Sequence, residues 1–246
     1  MNRFLLSIVA VLALAGCSEP AGQDAAVSNT STEATQNIAQ AAPVGAEDNV
    51  IQLAQASDSE FQMGVHYERL TPTQPTNSSP EQVEVTEVFW YGCPHCFTFD
   101  PYLRAWEPEA APYINFVRIP AVWNPVVRLH AQAFYTAQVL GKEQEMHIPL
   151  FEEIHVNGNY LDSPDKLAAF FAKFGVSAQA FDTAFNSLEV NTRLQRSEEL
   201  SRRYRIASVP SIVINGKYTT NGTMAGSYDR LIDLIDELAA MERGSD

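Results

Sequence analysis

The chain has 246 residues, 46% of them hydrophobic, which is enough for one well-buried domain plus extra segments. A formal net charge of −14 argues against a nucleic-acid partner, which needs Lys and Arg to displace counterions. Only three cysteines occur, Cys17, Cys93 and Cys96, so no structural disulfide framework is possible beyond a 93–96 pair.

Residues 1–3 are a short basic start, and residues 4–15 are an unbroken apolar run. The run is too short for a bilayer span, which needs about 20 residues, and fits the hydrophobic region of a secretory signal. It ends in Leu14-Ala15-Gly16-Cys17, which resembles the lipobox of bacterial lipoproteins. That resemblance implies a signal peptide over 1–16, lipidation of Cys17 and a membrane anchor, with Ser18 favouring the outer membrane. The competing reading is an ordinary signal peptide with an incidental cysteine. Residues 17–62 then form the lipidated N-terminus and a disordered linker. From residue 18 onward the linker has seven acidic residues (Glu19, Asp24, Glu33, Glu47, Asp48, Asp58, Glu60) and no Lys or Arg. Such a segment buries too little apolar surface to offset its ordering entropy, and as a flexible tether it spans roughly 35–40 Å.

The globular domain is expected over 63–246. Residues 65–70 alternate and read as an edge strand, and Pro72, Pro75 and Pro80 make the next stretch a loop. Residues 83–90 are β-branched and aromatic and read as a core strand. They lead to Cys93-Pro94-His95-Cys96 and then to an amphipathic helix over 97–106, with a kink expected at Pro101. Residues 114–119 form a second core strand, so the unit predicts a right-handed βαβ with parallel strands.

A helical insertion follows over about 122–205. Its helices are expected at 128–140, closing at Gly141, and at 146–156, with Pro149 in the first turn. The next starts at the Ser163 cap with Pro164 and ends at Gly175. Two more follow, one after the Ser177 cap and a polar one over 189–204. His130, His147 and His155 fall in this region and read as surface or structural residues. Strands at 211–214 and 217–220 flank Asn215-Gly216, a strong hairpin signal, and a helix over 228–241 closes the chain. The order is βαβ, helical insertion, ββα, with no internal repeat.

The chemistry concentrates at Cys93-Pro94-His95-Cys96. Two cysteines separated by two residues can alternate between a dithiol and a disulfide. A CxxC where a strand hands over to a helix puts the first sulfur at the helix N-terminus, which favours a thiolate. Cys93 therefore reads as the nucleophile, His95 as a donor or cation that stabilises its thiolate, and Pro94 as the residue that pre-sets the first helical φ. Cys96, one turn into the helix, reads as the more buried resolving thiol. Glu87 interrupts an otherwise apolar strand, so it is expected to lie beneath the CxxC with a raised pKa, the alternative being an exposed strand edge. A metal site is not expected, because Cys93, His95 and Cys96 are too close together to make a tetrahedral site unaided. No cofactor is expected beyond the Cys93–Cys96 disulfide.

The CPHC tetrapeptide, the helical insertion, Val209-Pro210 before a strand and Asn215-Gly216-Lys217-Tyr218 after it resemble the DsbA family of bacterial thiol:disulfide oxidoreductases, over about residues 63–243. The resemblance implies an α/β thioredoxin-like fold: βαβ then ββα around a central mixed sheet, with an inserted helical domain. It implies a dithiol oxidase of the cell envelope that donates the Cys93–Cys96 disulfide to reduced secreted proteins through a mixed disulfide at Cys93. A quinone-linked membrane partner resembling DsbB would reoxidise it. It further implies that Glu87 relays protons for Cys96, that Pro210 is cis, and that the Val209 backbone pairs with substrate as an added strand. The linker stands where related isomerases have a dimerisation domain, which favours a monomer. The alternatives are a periplasmic reductase or isomerase of the same fold, or a lipid-tethered metal- or protein-binding module.

Overall fold

The computed structural model describes residues 59–244. The signal segment, Cys17 and nearly all of the linker lie outside the described residues. Phe61, placed in the linker by composition, is buried against the sheet core. No helix among the described residues is long and apolar enough to cross a membrane.

Five strands form one mixed sheet: β1 (Glu68–Arg69), β2 (Val83–Phe89), β3 (Ile114–Pro120), β4 (Ser211–Ile214) and β5 (Tyr218–Thr220), in the order β1-β5-β4-β2-β3. Central β2 pairs parallel with β3 and antiparallel with β4, and every one of its residues is buried. A central strand is buried on both faces, so its polar residues find partners inside: Thr86 donates to Glu84, and Glu87 meets Arg118. The 65–70 segment contributes only the two-residue edge strand β1, antiparallel to β5. The hairpin forms as expected: Asn215 and Gly216 both have positive φ, 49° and 61°, and Lys217 N–H donates to Ile214 O. A side chain at Gly216 would also collide with the Gln74 carbonyl.

Helix α1 (Pro94–Trp106) follows β2 and runs through Pro101. Its Phe99, Leu103 and Trp106 share a buried cluster with Val83 and Val85 of β2, Ile212 and Ile214 of β4, and Leu231, Leu234 and Leu238 of the C-terminal helix (Tyr228–Arg243). The insertion supplies α2 (Pro125–Val139), α3 (Glu143–His155), α4 (Pro164–Ala172), α5 (Ala178–Phe185) and α6 (Leu188–Arg203). Asn124, Ser163, Ser177 and Ser187 each accept backbone N–H bonds at a helix start, which is worth about 1 kcal/mol apiece. After α6 and the hairpin come a one-turn helix, α7 (Gly222–Ala225), and α8 (Tyr228–Arg243).

Two helix starts differ from the sequence reading. Helix α2 begins at Pro125 rather than 128, because Asn124 caps it and Pro125 takes the first helical position. Helix α3 begins at Glu143, so Pro149 sits inside it rather than in its first turn. Burial of Met146, Leu150, Phe151 and Ile154 outweighs the proline penalty of about 3 kcal/mol. Of the two readings for His130 and His147, surface or structural, the structural one holds: both are buried, His130 between the Trp90 indole N–H and Tyr160 O, His147 between the Tyr91 hydroxyl and Asp100.

Candidate active site

Trp90-Tyr91-Gly92 carries the chain from β2 to the helix cap. Cys93 N–H donates to Trp90 O (3.0 Å), and Gly92 packs so closely on the Trp90 ring that a Cβ there would collide with it. Cys93 caps α1 in an extended conformation, with Pro94 in the first turn and the Sγ accepting from the Cys96 N–H at 3.4 Å. The Cys93 thiol also reaches Val209 O at 3.4 Å, and the Val209–Pro210 peptide is cis. Cys93 is 6% exposed and Cys96 fully buried, and neither is in a disulfide.

The two thiols are driven apart electrostatically. A hydrogen bond from the Cys96 side chain lowers the Cys93 pKa most. Burial opposes it, while the backbone N–H groups of Cys96 and His95 and the His95 charge add to it, and the result is about 6 against 9.0. Burial, together with the Cys93 and Glu87 charges, pushes Cys96 well above 9.0. His95 is exposed, and its imidazole is the smallest of these influences on Cys93. The backbone and Cys96 therefore take a larger share than the sequence reading assigned to the dipeptide.

Strand alternation puts Glu87 on the same face of β2 as Val85 and Phe89, the face that packs against α1. It is 2% exposed, and its Oε2 lies 3.2 Å from Arg118 Nε. Burial raises its pKa from 4.5 to about 7. Arg118 opposes the rise, and the charges of Asp100 and Cys93 add to it. A second couple lies alongside: His147 Nε2 meets Asp100 Oδ1 at 3.0 Å and His147 Nδ1 meets the Tyr91 hydroxyl at 3.0 Å. Burial works against the Asp100 charge, but His147, Arg104 and Arg118 outweigh it and hold the carboxyl below its ordinary value. His155 bonds Tyr91 O at 2.7 Å and stacks flat on Phe97.

The sequence reading missed Tyr91, Asp100, Arg118, His147 and His155 as parts of this site. Two spacings pointed to some of them. His147, Phe151 and His155 recur at four-residue steps on one face of α3, and Asp100 and Arg104 are four apart on α1. Beside the thiols, a cavity of about 820 Å³ is lined by His95, Tyr102, Val209, Pro210, Met224 and Tyr228. Among the described residues no group of three or more His, Cys, Asp and Glu side chains is arranged to hold a metal ion.

Comparison with known proteins agrees with this geometry. Residues 114–236 match the DSBA-like thioredoxin domain. The chain is 34% identical over 189 residues to the thiol:disulfide interchange protein DsbA of Azotobacter vinelandii, covering 77% of this chain and 88% of that one. The chain belongs to the DsbA family. The DsbA of Burkholderia cepacia is 35% identical over 186 residues, 76% of this chain and 88% of its own. The crystal structure of Pseudomonas aeruginosa DsbA superposes with a TM-score of 0.72 at 34% identity, covering 75% of this chain and 96% of that one. The fold is therefore the thioredoxin-like fold of DsbA with its helical insertion, and the activity is thiol:disulfide interchange.

Proposed function

We propose that the chain is a dithiol oxidase of the periplasm, organised as a signal peptide (1–16), a lipidated N-terminus and linker (17–62) and a DsbA domain (63–246). The observation that carries the oxidase reading is the split between the thiols: Cys93 at about 6 and Cys96 well above 9.0. A thiolate that is stable at neutral pH stabilises the dithiol form, so the disulfide form is oxidising, by roughly 30 mV per pKa unit below ambient pH.

A substrate thiolate attacks Cys93 Sγ of the Cys93–Cys96 disulfide. The disulfide breaks, and Cys96 leaves and takes a proton, which Glu87, half-protonated near pH 7, supplies. The second substrate thiolate then attacks the substrate sulfur of the mixed disulfide and expels Cys93 as a thiolate. Two electrons have moved from substrate to enzyme, leaving Cys93 as a thiolate and Cys96 as a thiol; Glu87 regains its proton from solvent, and a DsbB-like quinone-linked membrane partner takes the electrons on. Substrate lies along Val209, whose carbonyl already accepts from Cys93, with Pro210 ending the ledge. Recognition through main chain fits many reduced secreted proteins acting on a monomer. His95 and Pro94 tune the helix start.

Cys96→Ser tests this reading. In the envelope it should accumulate mixed disulfides through Cys93, and Cys93→Ser should accumulate none. Equal trapping by both variants refutes the assignment of roles. For the anchor, Cys17→Ser should move the protein from the membrane to the soluble fraction. An unchanged distribution refutes lipidation at Cys17.

A further inference from the structure

A second cleft, about 750 Å³, lies between β3 and helices α2, α3 and α6, and shares no lining residue with the cavity beside Val209. Four arginines line it: Arg104, Arg118, Arg193 and Arg196. That is a quarter of the 16 basic residues of a chain whose net charge is −14. Three glutamates face the same space. Glu84 is engaged by the Asn77 N–H and the Ser78 and Thr86 hydroxyls, Glu143 accepts from Gln138, and Glu107 lies 3.7 Å from Arg118 Nη1. Behind the lining, Asp100 pairs with Arg104, Glu189 with Arg193 and Glu87 with Arg118, so Arg196 is the one lining arginine with no carboxylate partner among the described residues.

Arg118 is the residue that asks for a ligand. Its side chain is 12% exposed, and its Nε and Nη2 are buried without a hydrogen-bond acceptor. Nε lies 3.2 Å from Glu87 Oε2, in charge contact but off the hydrogen-bonding line. A buried guanidinium with open donors is costly. Its counter-charge is also intermittent, because Glu87 loses its charge on protonation at about 7. Arg196 bonds the neutral Asn77 side-chain oxygen.

We propose that this cleft binds a small oxyanion, a carboxylate or phosphate, held by Arg118 with Arg196 and coupled to the protonation of Glu87. The guanidinium fork matches two oxygens of such a group. The anion replaces the Glu87 carboxylate as the counter-charge of Arg118, so it binds best when Glu87 is protonated. By reciprocity, it strengthens proton binding at Glu87 by the same factor. Glu87 faces Arg118 from β3, Asp100 from α1 and the Cys93 sulfur, and Arg118 faces Glu107, Asp100 and Tyr91 besides. His147 Nε2 and Arg104 hold Asp100 ionised, and burial keeps Tyr91 protonated. Any effect on disulfide exchange rests on the reading of Glu87 as proton donor to Cys96. The binding and its pH dependence stand without that reading.

The probe is sulfate, whose charge is constant over the range, titrated calorimetrically into the oxidised full-length chain at an ionic strength held constant with chloride. The oxidised form removes the titration of both thiols. Affinity should weaken by up to about tenfold between pH 5.5 and pH 8, as set by a Glu87 value of about 7. Glu87→Gln should bind tightly and flatten the pH dependence, while Arg118→Gln should abolish saturable binding. If Arg118→Gln does not fold, the Glu87→Gln profile decides. The absence of saturable binding to the natural chain overturns the proposal. Binding unchanged in Arg118→Gln, or a pH dependence that survives in Glu87→Gln, overturns it equally.

Discussion

Raising the pH should stabilise the reduced chain over its oxidised form, by an amount that Cys93 sets. In the folded dithiol its pKa is lowered from 9.0 to about 6, and in the disulfide it does not titrate at all. A thiol whose folded value is depressed adds stability above that value and loses it as pH falls through it. The contribution is near zero at pH 5, about 1.4 kcal/mol at pH 7 and about 2.7 kcal/mol at pH 8. Solvent screening at the mouth of the site trims the pH 7 figure to about 1 kcal/mol. Groups that titrate alike in both forms cancel in the difference. Urea unfolding of both forms at pH 5, 7 and 8 measures it directly. By the thermodynamic cycle, the pH 7 gap corresponds to about 20–30 mV of added oxidising power. A gap that stays constant from pH 5 to 8, or narrows as pH rises, refutes the assignment of a depressed pKa to Cys93.

Glu87→Gln should do two things. It should slow release of Cys96 by about 10²-fold and remove the inflection near pH 7 from the rate of substrate oxidation, measured by stopped flow with a dithiol peptide. It should also raise stability relative to the natural chain as pH climbs from 4.5 to about 7. A carboxyl with a raised folded pKa stabilises fully below its unfolded value and loses that stability as pH rises through the folded one. A parallel stability difference at all pH values contradicts this. His95→Ala should raise the Cys93 pKa, followed by thiolate ultraviolet absorbance, and an unchanged titration would show that the imidazole plays no part. Gly92→Ala should lower stability by about 1–3 kcal/mol, because the new Cβ displaces the Trp90 ring and strains its hydrogen bond to His130. A melting temperature equal to that of the natural chain would contradict that packing.

Local signals made much of this molecule legible. Caps at Ser163 and Ser177, the Asn215-Gly216 turn and the β-branched and aromatic strand before the CxxC are short-range features, and each lands where its chemistry requires. Glu87 could be read because a carboxylate set against Val85, Val88 and Phe89 is an anomaly. Its partner could not: Arg118 is one charge on a strand that looks half-exposed, and only the parallel register of β2 and β3 sets Glu87 opposite Arg118. Asp100 and His147 are 47 residues apart, and Tyr91 and His155 are 64 apart, so their contacts depend on how α3 docks beneath the catalytic helix. Pattern reading also started α3 late, because Pro149 reads as a helix start until the burial on both sides of it is known.

The redox potential tests the oxidase claim most directly. The purified full-length chain is equilibrated with glutathione buffers at pH 7, and the Cys93–Cys96 dithiol and disulfide are quantified after acid quenching. A thiolate stabilised at Cys93 and a proton held at Cys96 predict a potential well above the roughly −270 mV of a cytosolic reductase. A value at or below that figure contradicts the account.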